Sequence, residues 1–248
     1  MKRSFFILAF TFTFVGITSV FAAGMPNSYY EITSNKKQKE VFFNYLYTLV
    51  EKENLRILEE RSLIENVLGN NILKIDYKSK DFAKLLKLQK KYRVKSFLSK
   101  KDFLEKIDIV PPALALAQAA VESGWGKSRF VKEANNIFGH WTYGKVGLIP
   151  LSRNEGAKHK IRIFSSLQRS IRAYMFNLNS NRAYKDFRDQ RVSLRRQELS
   201  PEGSKLSQTM INYSGIGKKY LVILESMINQ QNLSKFDNKF FKKINQNI

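Results

Sequence analysis

The sequence predicts an α+β fold that is mainly α, with two lobes and a cleft between them. Apolar residues recur at helical spacing over most of the 248-residue chain. This periodicity is interrupted at residues 143–164, where glycine, proline and asparagine are frequent and where residues 160–163 alternate polar and apolar side chains. Helices, a short β excursion and further helices, in that order, predict a helical body with a small β-hairpin lobe.

The first 22 residues have the pattern of a secretion signal. Lys2 and Arg3 form a basic start, an apolar run follows over residues 5–20, and Ala22 offers a small residue for cleavage. An uncleaved membrane anchor is the alternative, because the run is long for a signal peptide. On either interpretation the rest of the chain is exported, to the periplasm or cell envelope or as a secreted protein.

The composition excludes several kinds of chemistry. Without cysteine the chain has no disulfides, thiolate zinc sites or cysteine nucleophile. His140 and His159 are the only histidines, and neither lies in a carboxylate cluster with metal-ligand spacing, so we expect no metal and no cofactor. The 43% of hydrophobic residues, with 19 phenylalanines, are sufficient for a core.

The formal net charge of +22 attracts polyanions. For an exported protein these are cell-wall polymers, lipid phosphates and lipopolysaccharide, whereas export counts against nucleic acid as a partner. The alternative is that the lysines solvate helix faces, which their even spread along the chain favours. We expect a monomer.

The chain divides into regions by pattern. The polar, irregular pattern of residues 23–36 predicts a flexible lead-in. The helical periodicity of residues 37–107 predicts an amphipathic N-terminal helical region, in which one helix ends at Gly69 and another begins near Lys80. Residues 108–229 form the main domain, in which residues 165–168 resemble a capping box that opens a further helix. Residues 230–248 predict a polar C-terminal tail.

One helix of the main domain carries a polar stripe. Between Pro112 and Glu122 the only polar side chains are Gln118 and Glu122, which are four residues apart and share a face. The other residues are Ala, Leu and Val, as in a helix that is buried on most sides. The stripe must therefore face a cavity, a partner or water, and Gly124 is the predicted end of the helix.

Glu122 is a candidate general acid. Apolar surroundings and the negative end of the helix dipole both disfavour its charged form and raise its pKa. A carboxyl that stays protonated near neutral pH can donate a proton to a leaving group. The alternative is a partly exposed glutamate at a helix end without a catalytic role.

A turn at residues 135–141 is dense in amide and aromatic side chains. Aromatic faces stack on sugar rings, and asparagine amides bond hydroxyl and acetamido groups. Alternatively, Ile137 and Phe138 belong to the core and Gly139 supplies a backbone bend.

Three segments carry a family resemblance: VPPALALAQAAVESGWGKSRFVKEANNIFGHW from residue 110, IRIFSSLQRSIRAYMFNLNSNRAY from residue 161, and YSGIGKKYLVIL from residue 213. Together they resemble the bacterial glucosaminidase-domain proteins of glycoside hydrolase family 73, and within it the Bax-like subgroup. The motifs follow the family's order over residues 108–228, and an ordered set is far more specific than one short motif.

The resemblance implies a lysozyme-like fold and an endo-β-N-acetylglucosaminidase that cleaves the β-1,4 bond from N-acetylglucosamine to N-acetylmuramic acid in peptidoglycan. Glu122 matches the family's general acid, and Tyr213 matches a tyrosine near the catalytic centre. The candidate substrate-binding residues come from the polar stripe and the matching cleft wall: Gln118, Trp125, Asn136, Phe138, Gly139, His140 and Trp141.

The second catalytic group is less defined. Glu155 is the single acid in the β excursion and therefore the candidate base, with an exposed turn residue as the alternative. An inverting route needs two carboxyls about 6.5–9.5 Å apart. If Glu122 and Glu155 are farther apart than this, two routes remain. The β lobe closes on the substrate, or the substrate's own N-acetyl group acts as nucleophile and Tyr213 positions it.

Two other functions fit the same residues. A muramidase or lytic transglycosylase would use the same glutamate on a different bond. A catalytically idle cell-wall-binding protein would use the lysine-rich helices instead, although such a protein has no need of a carboxyl at Glu122.

Overall fold

The computed structural model describes residues 24–69, 75–151 and 156–246. The described part is mainly α with one small antiparallel hairpin, which confirms the predicted α+β class and suits a lysozyme-like domain. The elements are α1 (Asn27–Tyr30), α2 (Asn35–Leu68), α3 (Lys80–Tyr92), α4 (Lys100–Lys106), α5 (Pro112–Ser123), α6 (Arg129–Ala134), β1 (Trp141–Thr142), β2 (Lys160–Ile161), α7 (Leu167–Ser180), α8 (Lys185–Arg196), α9 (Gly203–Ser207), α10 (Lys218–Gln230) and α11 (Ser234–Asn245), with 3₁₀ turns at Arg182–Tyr184 and Met210–Asn212.

Helix α5 lies at the centre of the core. Its first nine residues are all buried, and it contacts α2, α9, α10 and α11. Pro112 suits the first turn, where its missing N–H costs no helical hydrogen bond. The helix ends at Gly124, which is left-handed with φ 54° as predicted.

Helix α2 forms the long wall against which α5 and α7 pack. Its 34 residues begin after Ser34, whose side chain accepts from the Lys37 N–H, and end at Gly69. The Asn54 side chain both donates to the Val110 carbonyl and accepts from the Val110 N–H, at 2.8 and 3.0 Å. This pair fixes the chain just before α5, so the N-terminal helical region is part of the same core.

The predicted flexible lead-in at residues 23–36 is wrong for its described part. Met25 and Tyr29 are buried, and α1 packs on α2. The Gly24 N–H donates to Asn135 Oδ1 at 2.8 Å. The segment is polar on average, but its apolar side chains pack against α2. Composition alone does not indicate this packing.

The predicted polar C-terminal tail at residues 230–248 is also wrong over its described part. Phe236 and Phe240 are four residues apart and buried on one face of α11. Between them, the buried Asp237 accepts from the Ala113 N–H and the Gly203 N–H at 2.8 and 2.7 Å. Because these donors lie in the first turns of α5 and α9, Asp237 satisfies N–H groups that helices leave unpaired.

The contact between α9 and α5 requires glycine. A Cβ atom built on Gly203 would lie 2.6 Å from the Leu114 nitrogen and 2.8 Å from the Ala113 Cβ. Both neighbours belong to a buried helix and have no free space. Gly203 thus allows the backbones to approach closely.

The β excursion is a short hairpin. Trp141 pairs with Ile161 and Thr142 with Lys160, and Leu148 forms a further bridge to Ile161. After the hairpin, Ser166 caps α7 by accepting from the Arg169 N–H. The capping-box prediction placed this role on Ser165; Gln168 instead donates to the Leu49 carbonyl, which joins α7 to α2.

The predicted signal at residues 1–22 lies outside the described residues. Among the helices that the structure describes, none combines the length and apolar character needed to cross a membrane.

We predict that Asp237→Ala lowers the free energy of unfolding by about 2–6 kcal/mol. The change leaves two buried N–H groups unpaired, and each costs about 1–3 kcal/mol. Urea denaturation measures the loss. Asp186→Ala, an exposed aspartate on α8, is the control and should change stability by less than about 1 kcal/mol. Equal stabilities of the two variants would contradict the capping role.

Candidate active site

Glu122 lies half-buried in the last turn of α5. The Tyr220 hydroxyl, on α10, donates to Glu122 Oε1 at 2.7 Å. Burial raises the pKa of Glu122, and the hydrogen bond from Tyr220 acts in the opposite direction. The carboxyl is therefore held in one place and keeps its proton at higher pH than an ordinary glutamate.

Gln118 holds Tyr220 in position. Its amide nitrogen donates to the Tyr220 hydroxyl at 3.1 Å, and its amide oxygen accepts from the Tyr174 hydroxyl at 2.6 Å. Because Tyr220 already accepts from Gln118, its single proton points to Glu122. Gln118 is 0% exposed, so the predicted contact with substrate is wrong. The polar stripe of α5 faces two tyrosines instead.

Four tyrosines surround this carboxyl, and we call them the tyrosine cluster: Tyr174, Tyr184, Tyr213 and Tyr220. The Tyr213 ring stacks on Tyr220, with centroids 5.7 Å apart and an angle of 4°. Tyr174 and Tyr184 meet Tyr213 at 6.3 and 5.9 Å. Burial and the charge of Glu122 both raise the pKa of Tyr213, so its hydroxyl stays protonated beside the carboxyl. The structure thus brings Tyr213 to Glu122.

The backbone after Glu122 turns sharply. Gly124, Trp125 and Gly126 are consecutive left-handed residues, with φ of 54°, 59° and 72°. The buried Ser123 hydroxyl donates to the Ala119 carbonyl and accepts from the Gly126 N–H at 2.7 Å. A tryptophan in this conformation is strained, so the surrounding contacts must hold it there.

The ring of Trp125 packs on α2. It meets Phe42 and Phe43 edge to face, with centroids at 5.8 and 5.3 Å, and the Lys39 ammonium lies 4.6 Å from its centre. The Tyr29 hydroxyl donates to the Trp125 carbonyl. Trp125 secures the turn after Glu122 to the N-terminal region; because its side chain is only half-buried, its contact with substrate stays a prediction.

The turn at residues 135–141 uses its amide groups internally. Asn136 donates to the carbonyls of His140 and Arg162, both at 2.9 Å, and accepts from the His140 N–H. It is 1% exposed, so its predicted role in substrate binding is also wrong. Phe138 is buried and stacks flat on Tyr174, with centroids 3.9 Å apart, which makes it core and corrects the prediction of substrate contact.

The end of this turn is more accessible. Gly139 is half-buried and left-handed, with φ 68° and open space around it. The half-buried His140 lines a cavity with Arg162, and burial together with the Arg162 charge lowers its pKa to about 4. Its imidazole is thus neutral at neutral pH.

Trp141 is the predicted binding residue with the largest free surface. It is 60% exposed on β1, and His159 stacks on it with centroids 4.1 Å apart. Tyr143, two residues later, is 76% exposed. The hairpin therefore presents aromatic rings to solvent.

Glu155 lies outside the described residues, so its distance from Glu122 is not part of the site's geometry. Within residues 24–69, 75–151 and 156–246, no three His, Cys, Asp or Glu side chains are grouped as metal ligands.

Sequence reasoning missed Tyr220. This tyrosine is buried on the apolar face of α10, four and eight residues before Leu224 and Ile228. That spacing resembles a core position, and only its hydroxyl reaches the site. Its position seven residues after Tyr213 was the available signal.

We predict that Tyr220→Phe raises the pKa of Glu122 further. The hydroxyl stabilises the ionised carboxylate, so its loss favours the protonated form. Carboxyl-selective ¹³C NMR titration measures the change. Tyr174→Phe is the control, because that hydroxyl bonds Gln118 and not Glu122. A lower pKa in Tyr220→Phe, or equal shifts in both variants, would contradict the assignment.

Comparison with known proteins supplies the family. Residues 98–233 match the model of the glucosaminidase family, described as mannosyl-glycoprotein endo-beta-N-acetylglucosaminidase, a glycosidase by name. The chain is 30% identical over 193 residues to Protein bax of Escherichia coli (strain K12), covering 75% of this chain and 67% of that protein. No solved structure matches. The matched segment includes Glu122 and the whole tyrosine cluster, and the chain belongs to the glucosaminidase family.

Proposed function

We propose that the protein is an exported peptidoglycan hydrolase, an endo-β-N-acetylglucosaminidase that cleaves the β-1,4 bond between N-acetylglucosamine and N-acetylmuramic acid. The observation that carries this proposal is the carboxyl of Glu122, half-buried, raised in pKa and fixed by Tyr220. Glycosidases of both stereochemical classes need such a carboxylic acid beside the scissile bond. The family match supports the reaction class.

Glu122 acts as the general acid. Its proton passes to the glycosidic oxygen, the bond from that oxygen to the anomeric carbon breaks, and positive charge develops on the sugar ring. Glu122 becomes a carboxylate in this step, and the hydrogen bond from Tyr220 favours that ionised product. Water then adds to the anomeric carbon and completes hydrolysis.

The second group is proposed to be Glu155, as the base that takes a proton from the attacking water. The substrate's acetamido oxygen is the alternative nucleophile, which would need no second carboxylate. Tyr213 is suited to hold either the water or the acetamido group, because its ring lies in the tyrosine cluster and its hydroxyl stays protonated.

The glycan is proposed to run past the hairpin. Trp141 is an exposed aromatic residue close in sequence to the turn that carries His140, and aromatic faces suit the apolar faces of sugar rings. The signal-like pattern of residues 1–22 supports export, which would give the enzyme access to the cell wall.

We predict that Glu122→Gln lowers the rate of peptidoglycan hydrolysis by about 10²- to 10⁴-fold, the usual contribution of a general acid. Release of soluble fragments from purified sacculi measures the rate. Circular dichroism and the thermal midpoint serve as controls for folding. A variant that clears sacculi at the wild-type rate would remove Glu122 from the mechanism.

Mass spectrometry of the released fragments identifies the bond. We expect N-acetylglucosamine at the reducing end. A reducing-end N-acetylmuramic acid would indicate a muramidase, and an anhydro sugar would indicate a lytic transglycosylase. Binding to sacculi without any release would indicate a catalytically idle wall-binding protein.

A further inference from the structure

A basic pocket lies beside the tyrosine cluster. It is a cavity of about 840 Å³ between α7, the 3₁₀ turn at Arg182–Tyr184, the end of α3 and the turn that carries His140. Its lining contains no aspartate or glutamate among the described residues. It contains six cationic side chains: Arg93, Lys95, Lys106, Arg162, Arg182 and Lys185.

Few of these charges are neutralised by the protein. In the described residues Lys185 pairs with Asp189. Lys106 donates to the Tyr92 and Arg93 carbonyls, both at 2.9 Å, and Asp102 and Glu105 act on its charge without lining the pocket. Arg93, Lys95, Arg162 and Arg182 line the pocket and form no ion pair with a carboxylate in the described part of the chain.

A second basic surface lies next to the basic pocket and differs from it in the ion pairing of its cations. It shares Arg162, Ala173 and Phe176 with the basic pocket, but three of its four other cations are paired with carboxylates inside the fold, the exception being Arg169. The pairs join Arg56, Lys91 and Arg172 to Glu53 or Glu60. Cations of the basic pocket that have no such carboxylate are available to an anion in solution.

The basic pocket adjoins the tyrosine cluster at the 3₁₀ turn Arg182–Tyr184. Arg182 and Lys185 line the pocket and flank Tyr184, whose ring lies 5.9 Å from that of Tyr213. Tyr213 in turn stacks on Tyr220, which donates to Glu122. A glycan bound at Glu122 would therefore place its substituents near the pocket.

We propose that the basic pocket binds the carboxylates that peptidoglycan carries on its muramic acid residues, namely those of the stem peptides or, where a stem peptide has been removed, that of the lactyl group. This inference rests on the proposed function and deepens it by naming the part of the substrate that is recognised. The cavity is much larger than a single phosphate group, and its cations come from four separate segments, so it suits an extended chain with several charges. Asn177 and Asn181 add groups that can bond peptide amides.

The test uses binding, so that it does not depend on turnover. Full-length protein with Glu122→Gln is titrated onto intact sacculi, onto sacculi stripped of stem peptides by an amidase, onto uncharged N-acetylglucosamine oligomers, and onto phosphatidylglycerol vesicles. The pocket variant adds Lys95→Glu and Arg182→Glu, both on exposed side chains. The control adds Lys87→Glu and Lys242→Glu, which change the net charge equally at exposed positions outside the pocket.

We expect the pocket variant to bind intact sacculi about tenfold more weakly than the control, with binding to the uncharged oligomers unchanged. If the pocket variant binds only intact sacculi more weakly, the pocket recognises the stem-peptide carboxylates. If it also binds stripped sacculi more weakly, the pocket recognises the lactyl carboxylate. Added salt should reduce the difference between the variants.

The proposal is overturned if the two variants bind intact sacculi equally, if neither binds sacculi, or if the uncharged oligomers lose affinity to the same extent. It is also overturned if the pocket variant loses binding only to phosphatidylglycerol vesicles, because the pocket would then serve a lipid surface. Failure of the proposed function is separate, since it is read from the hydrolysis rate of wild type against Glu122→Gln.

Discussion

The burial of helix α5 is the constraint on which the rest of the structure depends. A helix that is buried along its length must have every polar group satisfied by neighbouring elements, because unpaired buried groups cost about 1–3 kcal/mol each. Asp237 accepts from an N–H at the start of the helix, and Tyr174 and Tyr220 hydrogen-bond to Gln118. At the other end, the Ser123 hydroxyl accepts from the Gly126 N–H. These bonds determine where α7, α10 and α11 lie, and so the active site and the core are built from the same contacts.

Glu122 is the one polar group of α5 that is only partly satisfied. It receives a single hydrogen bond from Tyr220 and otherwise lies among aromatic rings. One bond fixes the position of the carboxyl without stabilising its charge enough to offset burial, so its pKa stays raised. A carboxyl that is held in place and whose pKa is raised suits general acid catalysis. The N-terminal segment contributes at a distance by securing the strained turn that follows.

The motif residues divide into two groups that sequence could not separate. Tyr213 stacks on the tyrosine that bonds Glu122, and Trp141 is exposed on the hairpin, whereas Gln118, Trp125, Asn136 and Phe138 are used within the fold. Amide and aromatic side chains suit sugars and also suit tight turns and helix contacts. Their chemistry is the same in either role, and only their orientation and burial decide between the two.

The sequence by itself determined the helices, the hairpin, the fold class and the proposed general acid, because these depend on local periodicity, on glycine and on one carboxylate in an apolar helix. Only the tertiary structure decided which side chains bond to α5 and which cations share a pocket. Tyr220 and Asp237 are far from α5 in the chain, and the cations of the basic pocket come from four separate segments. Local patterns do not indicate which distant side chains meet. The lead-in and the tail were mispredicted for the same reason. Each is polar on average, but a few of its apolar residues are buried against the folded core.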